Sequence, residues 1–389
     1  MLLTVFSRSY FCGKQVCLAI LVCCIFCSLY VWKVKLSQVT QKLRGKQGTL
    51  YNNIYIRLHC IFTVIPQISF LEEQYKVIKC SPTERARFLW NKCKAHRDTI
   101  EDVKNITFFP KQILVSDEHK LLVCLPAKTG SSNFKNVLIK ASSTYKRGKY
   151  TAEIGQDQLH WTDVLRHFGV RNLNDYSRKD IENILQTYTK VIVVRNPMVR
   201  VYSAYREKLV RRHANETCAR HRKHMAPWIA RIARPKSLDT KPETCPKPDI
   251  TFEEFLTTFA KYPDLIKTDV HWSSVEDDCL PCTIKFDHVL RLETGHTDLR
   301  FFVSDILNQS DWSGTERIRN RMGSFDERQV AANSFRETFE QFQNISSRTF
   351  ERVKLAYSKY MQLFGYQATK TKRGMTATCA YISNSNICC

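Results

Sequence analysis

The chain reads KLLVCLPAKTGSSNFKNVL from residue 120 to residue 138, and this stretch decides the fold. Residues 120–125 form a short, continuous apolar run, which is typical of a strand buried on both faces. Residues 126–133 are small and mostly polar, and apolar residues then recur at helical spacing from Phe134. We therefore predict a strand, a loop and a helix in succession, an arrangement that can hold a phosphate at the helix N-terminus.

A second unit of the same kind follows. Residues 190–194 read KVIVV, another apolar run, and residues 195–197 read RNP at its end. A helix with an apolar face is predicted from there to Leu209, and Ser177 is placed to open the helix before the strand. This alternation predicts an α/β fold with a central parallel sheet flanked by helices. Ligands of such sheets bind at the carboxyl ends of the strands, where both loops fall.

The net charge predicts an anionic partner. The 389 residues include 60 Lys and Arg against 37 Asp and Glu, which gives +23. Such a field suits a nucleic acid, an anionic membrane, a phosphorylated cofactor or an acidic polysaccharide. Hydrophobic residues make up 43% of the chain and charged residues 25%, so a wholly disordered chain and a multi-span transporter are excluded.

The N-terminus predicts a membrane anchor. Residues 16–32 carry no charge, and basic residues flank them on both sides. A single uncleaved signal anchor is favoured over a cleaved signal peptide, because no small-x-small site follows and Tyr30 and Trp32 suit a membrane interface. We expect a type II protein with a cytoplasmic tail at 1–15, a transmembrane helix at 16–34 and a stem at 35–80. The remaining segments are a lumenal domain at 81–366 and a polar tail at 367–389.

Sequons and cysteines favour the same compartment. Five of the 16 cysteines lie within residues 1–27, and the other 11 suit an oxidising lumen with some disulfides. Nucleic-acid binding is therefore disfavoured. Four Asn-x-Ser/Thr sequons predict N-glycosylation at Asn105, Asn215, Asn308 and Asn344.

The two loops have the chemistry of an anion site. Residues 128–133 lack the order of a Walker A loop, but Gly130 allows close backbone approach and Lys128 supplies a point charge. In the second loop, Arg195 and Ser203 are placed to bind one phosphate. Arg195 would donate two parallel hydrogen bonds and Ser203 one from its hydroxyl. Taken singly, each stretch is equally compatible with a solvated basic surface.

As a pair, the loops resemble the 5′-phosphosulfate and 3′-phosphate motifs of sulfotransferases that use 3′-phosphoadenosine 5′-phosphosulfate (PAPS). The closer likeness is to Golgi carbohydrate sulfotransferases of the HNK-1 and chondroitin/dermatan 4-O type. There the first motif runs P-K-x-G-[SC]-[ST]-N-W-K, and the second R-[DE]-P-x-x-R-x-x-S-A-[YF]-R-x-K. This chain departs at Phe134, which replaces Trp, at the additional Ala127 and at Asn196, which replaces the acid.

Further blocks extend the resemblance over about residues 85–366. His271-Trp272, Cys279-Leu-Pro-Cys282 and Leu292-Glu-Thr294 look like the family's HW, CxPC and xET elements, and Phe364-Gly-Tyr366 looks like its C-terminal end. The cysteine pair has no second pair at zinc spacing, so we favour disulfide bonding over a metal site. A redox dithiol or two buried free thiols remain open.

The resemblance implies a P-loop-like sulfotransferase fold, a PAPS donor, a Golgi location and no metal. Lys128 would stabilise the leaving phosphate. His160, between the two motifs, is the first candidate for the general base, with His167 and His271 as alternatives. Donor binding is assigned to Ala127, Lys128, Thr129, Gly130, Ser131, Ser132, Asn133, Arg195, Asn196, Pro197, Arg200 and Ser203.

The acceptor is expected to be an acidic glycan. By resemblance the first choice is the 4-hydroxyl of GalNAc in chondroitin; HNK-1-type glucuronic acid and GalNAc on N-glycans stay open. The basic insert at 206–248, through Arg211 and Arg212, is a candidate groove for such a chain or a solvated loop. A lumenal kinase and a membrane-anchored lectin without activity are the rival classes, and a homodimer is also left open.

Overall fold

The computed structural model describes residues 80–95, 102–148, 154, 158–210, 220–233, 250–310, 338–371 and 374–379. The predicted cytoplasmic tail, membrane anchor and nearly all of the stem lie outside these residues. Within the described part of the chain, no helix has the length and apolarity needed to cross a bilayer.

A five-stranded sheet forms the centre of the fold. Its strands are β1 (Ile113–Ser116), β2 (Leu121–Cys124), β3 (Val170–Asn172), β4 (Thr189–Val194) and β5 (His288–Arg291), in the order β3-β1-β2-β4-β5. Strands β2, β4 and β5 are parallel, but β1 is antiparallel to both β2 and β3. The predicted parallel sheet is thus corrected to a mixed one. Only four residues join β1 to β2, and a parallel pairing needs a crossover of a dozen or more.

Helices surround this sheet, and two of them continue as π-helical turns. The helices are α1 (Pro82–Lys94), α2 (Ser131–Ala141), α3 (Ser143–Arg147), α4 (Thr162–His167), α5 (Arg178–Thr187), α6 (Pro197–Tyr205), α7 (Arg220–Ala233), α8 (Phe252–Lys261), α9 (Val275–Cys279), α10 (Gly295–Phe301), α11 (Ser347–Ala356) and α12 (Ser358–Phe364). The π turns are Arg206–Val210 after α6 and Phe302–Ile306 after α10. Short 3-10 turns cover Val103–Asn105, Gln158–His160, Leu173–Asp175, Pro263–Thr268 and Leu292–Thr294.

Alternation along the strands supplies two hydrophobic cores. In β4, Ile192 and Val194 join the core formed with α1, α5, α6, α8, α11 and α12, while Val191 and Val193 join the core formed with α2, α4 and α10. Strand side chains alternate between the two faces, so a strand that is apolar at every position must be covered on both sides. This confirms the layered α/β arrangement predicted from the continuous apolar runs.

Capping explains where several helices begin. Ser177 accepts a hydrogen bond from the backbone N–H of Asp180 at the start of α5, and Thr251 with Glu254 forms a full capping box at α8. The long last helix predicted from Phe350 to Phe364 is instead two helices. Tyr357 separates α11 from α12, and its buried hydroxyl donates to the Trp272 carbonyl.

The predicted polar tail begins with packed structure. Strands β6 (Tyr366–Thr371) and β7 (Gly374–Cys379) form an antiparallel hairpin. Tyr366 and Ala368 are buried while Gln367 is exposed, which is the alternation of a half-buried strand. Residues 380–389 lie outside the described part.

Two disulfides join distant parts of the described chain. Cys93 of α1 pairs with Cys282, and Cys124 at the end of β2 pairs with Cys279 at the end of α9. The Cα atoms are 5.2 Å and 5.8 Å apart, respectively. Disulfide bonding of the 279–282 pair is therefore confirmed, and neither cysteine pairs with the other. The alternatives of a redox dithiol and of two free thiols are wrong.

Candidate active site

The loop between β2 and α2 has an unusual backbone. Lys128 has φ 67° and Gly130 has φ 84°, so both residues lie in the left-handed region. A non-glycine residue there costs about 1–2 kcal/mol and must be held by its surroundings. The buried Thr129 hydroxyl donates to the Pro126 carbonyl at 2.7 Å and closes the turn.

Glycine is required at the start of α2 for two reasons. Its positive φ is one, and the other is space, because a Cβ atom at Gly130 would come within 2.9 Å of Leu292 Cδ1. Gly130 gives α2 no side-chain cap, so the first amides of this helix, at Ser131 and Ser132, are available to an anion. This is the arrangement predicted for residues 126–133.

The loop between β4 and α6 is fixed by hydrogen bonds. Asn196 is the N-cap of α6, and its Oδ1 accepts from the N–H groups of Met198 at 3.0 Å and Val199 at 3.4 Å. The Asn196 N–H donates to Glu293 Oε1 at 2.6 Å. Asn and Asp cap helices about equally well, so the departure from the family's acidic residue preserves this role. Pro197 takes the first helical position, where its missing N–H costs nothing.

The two loops meet through Arg195. Its Nη1 donates to the Lys128 carbonyl at 3.1 Å, which joins the loop after β4 to the loop after β2. The Arg195 backbone is held in turn by Tyr360, which accepts from its N–H at 3.2 Å and donates to its carbonyl at 2.6 Å. The two basic residues singled out in the sequence therefore lie at one edge of the sheet, at the carboxyl ends of adjacent parallel strands.

Both cations lie in partly desolvated surroundings. Burial lowers the pKa of Lys128, Glu207 opposes this shift, and Arg195 and Lys208 add to it. Burial likewise lowers the pKa of Arg195. Burial also lowers the pKa of Lys135 on α2, which forms no ion pair with a described residue. Several positive charges that are partly shielded from water favour the binding of an anionic ligand.

Glu207, in the π turn after α6, forms an ion pair with Lys128. Lys208 Nζ lies 3.1 Å from the other carboxylate oxygen of Glu207. Burial opposes ionisation of this carboxyl, but the hydrogen bond and charge of Lys128, together with Lys208, lower its pKa to about 2. Glu207 is therefore a stable anion held against the loop lysine.

The Arg200 side chain is buried and binds protein oxygens on several segments of the chain. Its Nε donates to the Ala127 carbonyl at 2.7 Å, and one Nη donates to the Val270 carbonyl and to Asp278, each at 2.9 Å. Its other Nη donates to the Ser273 carbonyl. Only 1% of the side chain is exposed. The predicted direct contact with the donor is therefore corrected to a positioning role, because the guanidinium donors are directed to protein oxygens.

For several predicted site residues, the structure gives either the burial alone or no side chain. Ser203, Ser132 and Asn133 are half-buried on the two helices that follow the loops. His160 lies in the Gln158–His160 turn, and its side chain is outside what the structure describes. Arg211 and Arg212 also lie outside the described residues, as does sequon Asn215. Among the described residues, no cluster of three or more His, Cys, Asp or Glu could hold a metal ion.

Sequence reasoning missed three residues that complete the site. Glu207 is a variable position of the second motif. Its place between Arg206 and Lys208 in the sequence could have indicated an ion pair. Glu293, from the Leu292–Thr294 turn, accepts from Asn196 and from the Tyr366 hydroxyl at 3.0 Å. Tyr360 holds the Arg195 backbone from a separation of 165 residues, which no local pattern reveals.

The fold and these loops define an α/β protein with basic side chains and helix amides suited to an anion at the carboxyl edge of its parallel strands. Residues 111–367 match the model of the sulfotransferase family, and the chain belongs to that family. The predicted resemblance to carbohydrate sulfotransferases is also confirmed by the curated relatives.

Three relatives illustrate the extent of the similarity. Carbohydrate sulfotransferase 8 from Homo sapiens is 28% identical over 234 residues, covering 60% of this chain and 52% of the relative. Carbohydrate sulfotransferase 9 from Homo sapiens is 28% identical over 244 residues, covering 60% and 50%. The chain thus spans about half the length of these two relatives. Carbohydrate sulfotransferase 10 from Mus musculus is 28% identical over 298 residues, covering 73% and 75%. No solved structure matches the chain.

Proposed function

We propose that this protein transfers a sulfuryl group from PAPS to a hydroxyl of a glycan. The hydrogen bond from Arg195 to the Lys128 carbonyl carries this proposal, because it brings the two predicted phosphate-binding loops to one place. Membership of the sulfotransferase family supports the reaction class, and the names of the relatives support a carbohydrate acceptor.

The residues present fit a doubly phosphorylated sulfate donor. The donor supplies the sulfuryl group and leaves as 3′-phosphoadenosine 5′-phosphate. The uncapped start of α2 and the close backbone approach at Gly130 suit its 5′-phosphosulfate. Arg195 and Ser203 follow the adjacent strand and suit the 3′-phosphate, which distinguishes this donor from ATP. Arg200 keeps the first loop in place through the Ala127 carbonyl.

Lys128 has the main electrostatic role. As the sulfur–oxygen bond breaks, negative charge develops on the bridging oxygen of the leaving phosphate, and an ammonium group held there stabilises it. The low exposure of Lys128, 14% of its side chain, strengthens this interaction because water screens it less. A transfer of this kind needs no metal ion among the reacting groups.

The acceptor remains a finer proposal. We propose the 4-hydroxyl of GalNAc in chondroitin as the first acceptor to test, with HNK-1-type glucuronic acid and GalNAc on N-glycans as alternatives. The excess of basic over acidic residues supports an acidic polymer. Arg211 and Arg212 belong to this proposal as candidate contacts, and an unchanged salt dependence of polymer binding in Arg211→Ala/Arg212→Ala would remove them from it.

We also propose a Golgi location with the catalytic body in the lumen. The uncharged run at 16–32 supports an anchor. Three of the four sequon asparagines are described, at Asn105, Asn308 and Asn344, and each is exposed to solvent as glycosylation requires. Removal of N-glycans by an endoglycosidase, read as a shift in electrophoretic mobility, tests this orientation.

The decisive experiment incubates the full chain with ³⁵S-labelled PAPS and a panel of desulfated glycans. Disaccharide analysis then gives the sugar and position that were modified. Binding of 3′-phosphoadenosine 5′-phosphate without transfer to any glycan would overturn the proposal, and glycan binding without nucleotide binding would favour a lectin. Activity that depends on ATP and is lost on chelation of Mg²⁺ would favour a kinase instead. Arg195→Ala is the matched variant, and it should lose nucleotide binding.

A further inference from the structure

The segment at residues 269–279 is tied to the donor loop in two ways. Cys279 is disulfide-bonded to Cys124, the last residue of β2, only four residues before Lys128. Arg200 also binds both sides, because its Nε contacts the Ala127 carbonyl and a neighbouring nitrogen contacts the Val270 carbonyl. Two oxygens on adjacent nitrogens of one guanidinium are on the order of 5 Å apart. Lys128 and His271, the residues that follow these two carbonyls, therefore belong to backbone segments that Arg200 holds next to each other.

His271 is held by Asp269 in this segment. Its Nδ1 lies 2.5 Å from Asp269 Oδ1, and its backbone N–H donates to the same oxygen at 2.9 Å. An ionised carboxylate only accepts hydrogen bonds, so this contact favours the neutral tautomer with the proton on Nδ1 and the lone pair on Nε2. Both side chains are partly covered, with 18% of His271 and 19% of Asp269 exposed. An oriented imidazole with a basic Nε2 is the usual form of a general base.

Three other histidines with described side chains lie at the opposite end of the sheet. His119 is in the turn between β1 and β2, and His288 begins β5 and contacts the Thr83 hydroxyl. His167 ends α4, three residues before β3, and Val170 of β3 pairs with Ser116 at the end of β1. The donor loops lie at the other end of the sheet, where β2 and β4 end. His167, an alternative base from the sequence, is therefore excluded.

The carboxylates near the loops are less suited to accept a proton. Glu207 is paired with Lys128 and Lys208, and its pKa near 2 makes it a very weak base at neutral pH. Burial raises the pKa of Glu276, but this carboxylate accepts a hydrogen bond from the Ser274 hydroxyl within its own turn. Protonation of either carboxylate would weaken these interactions, whereas protonation of His271 strengthens its contact with Asp269.

We infer that His271 is the general base of the transfer and that Asp269 is its positioning residue. This inference rests on the proposed function. In the step, the acceptor oxygen forms a bond to sulfur, and the bond between sulfur and the bridging phosphate oxygen breaks with its electron pair on the phosphate. The acceptor hydroxyl proton moves to His271 Nε2, and Asp269 stabilises the resulting imidazolium. The proton is later lost to water, which returns the neutral base.

The test compares His271→Gln, Asp269→Asn, His160→Gln and the control His167→Gln in the full chain. Each variant is first titrated with 3′-phosphoadenosine 5′-phosphate, so that donor binding is measured without turnover. We expect unchanged binding in all four. General-base removal is worth about 100-fold or more in rate, so kcat should fall by that factor in His271→Gln with little change in donor KM. Asp269→Asn should lose about 10-fold or more, and His167→Gln should be unaffected.

The pH dependence gives a second readout that a merely structural role would not change. Loss of a titrating base should flatten the acidic limb of the kcat profile in His271→Gln, whereas a packing defect would scale the whole profile. A full kcat in His271→Gln, or a loss confined to His160→Gln, would overturn the inference while leaving sulfuryl transfer intact. If His271→Gln loses nucleotide binding, His271→Asn is measured; loss of binding there also overturns the catalytic role. A wild-type chain without transfer activity would instead overturn the proposed function.

Discussion

The loops after β2 and β4 both carry groups suited to a phosphate but are built differently. The first has Lys128 and Gly130 in the left-handed region, one short internal hydrogen bond and an ion pair to Glu207. The second is an extended turn whose backbone groups are held by Tyr360 and Glu293. The first loop is therefore held by an internal hydrogen bond and an ion pair, while the second is held by hydrogen bonds from its backbone to residues distant in sequence.

This difference separates two tasks of the site. In the proposed reaction a 3′-phosphate remains unchanged, so it can be bound by a rigid loop such as the one after β4. Under the proposed function, the 5′-phosphosulfate changes its charge distribution during transfer, and Lys128 would have to exchange Glu207 for the donor. Arg200 joins the two parts, because it begins on α6 and holds the Ala127 carbonyl. Substitutions in each loop and in this link test the contrast.

Removing the link should have the largest effect. Arg200→Met leaves Asp278, of which 5% of the side chain is exposed, as an unpaired buried charge. Such a loss costs about 3–5 kcal/mol in the free energy of unfolding, measured by urea denaturation. The exposed Arg206→Met is the control and should change little. The double variant Arg200→Met/Asp278→Asn should recover part of the loss; no recovery would mean that the ion pair is not the cause.

Lys128→Met tests the charge-dependent loop. Loss of a preorganised charge at the leaving group lowers kcat by about 100-fold to 1,000-fold, measured as initial rate with labelled PAPS. The urea midpoint should stay close to that of the wild type, because a desolvated charge is removed together with its ion pair. Lys104→Met, on an exposed turn, is the matched control. A large loss of stability with an unchanged rate would contradict the assignment of Lys128 to chemistry.

Asn196 tests the hydrogen-bonded loop. Asn196→Ala removes the N-cap of α6 and should lower the free energy of unfolding by about 1 kcal/mol, as read by urea denaturation. Asn196→Asp keeps an acceptor at the same position and should stay within about 0.5 kcal/mol of the wild type. Equal loss in both variants would show that the amide group, and not the cap, is needed beside Glu293.

Glu207→Gln should have the smallest effect, and in the opposite direction. Lys128 then has no anion to release, so the affinity for 3′-phosphoadenosine 5′-phosphate should rise about fivefold, measured by isothermal titration calorimetry. The pKa of Glu207 is lowered from 4.5 to about 2, so its ion pair is fully present above about pH 4.5 and is lost only as pH falls towards 2. The ratio between variant and wild type should therefore be constant from pH 6 to pH 8. Weaker binding in the variant would mean that Glu207 orients Lys128 for the donor.

The sequence was sufficient for the parts of the site that depend on local pattern. Apolar runs located β2 and β4, and glycine with the two basic residues located both loops. A capping residue at Ser177 located the start of α5. These features involve residues a few positions apart, where backbone geometry and helix capping leave few alternatives.

Long-range partners could not be found in this way. Nothing near Cys279 indicates Cys124, which is 155 residues away, and nothing in the helix of Arg200 indicates burial against Val270. An arginine in a phosphate motif suggests ligand contact, and only the tertiary structure shows that Arg200 donates its hydrogen bonds to protein oxygens. The antiparallel β1 was also missed, because strand direction depends on a four-residue turn.

The disulfides bear on the order in which the protein is made. Cys93 and Cys124 leave the ribosome long before their partners, at separations of 189 and 155 residues. During that interval both cysteines lack their native partners, which have not yet been synthesised. A disulfide between Cys93 and Cys124 would have to be reduced or exchanged before the Cys124–Cys279 bond could join α9 to the donor loop. The donor loop is thus joined to α9 only after residue 279 has been synthesised, whatever the state of the strands that precede it.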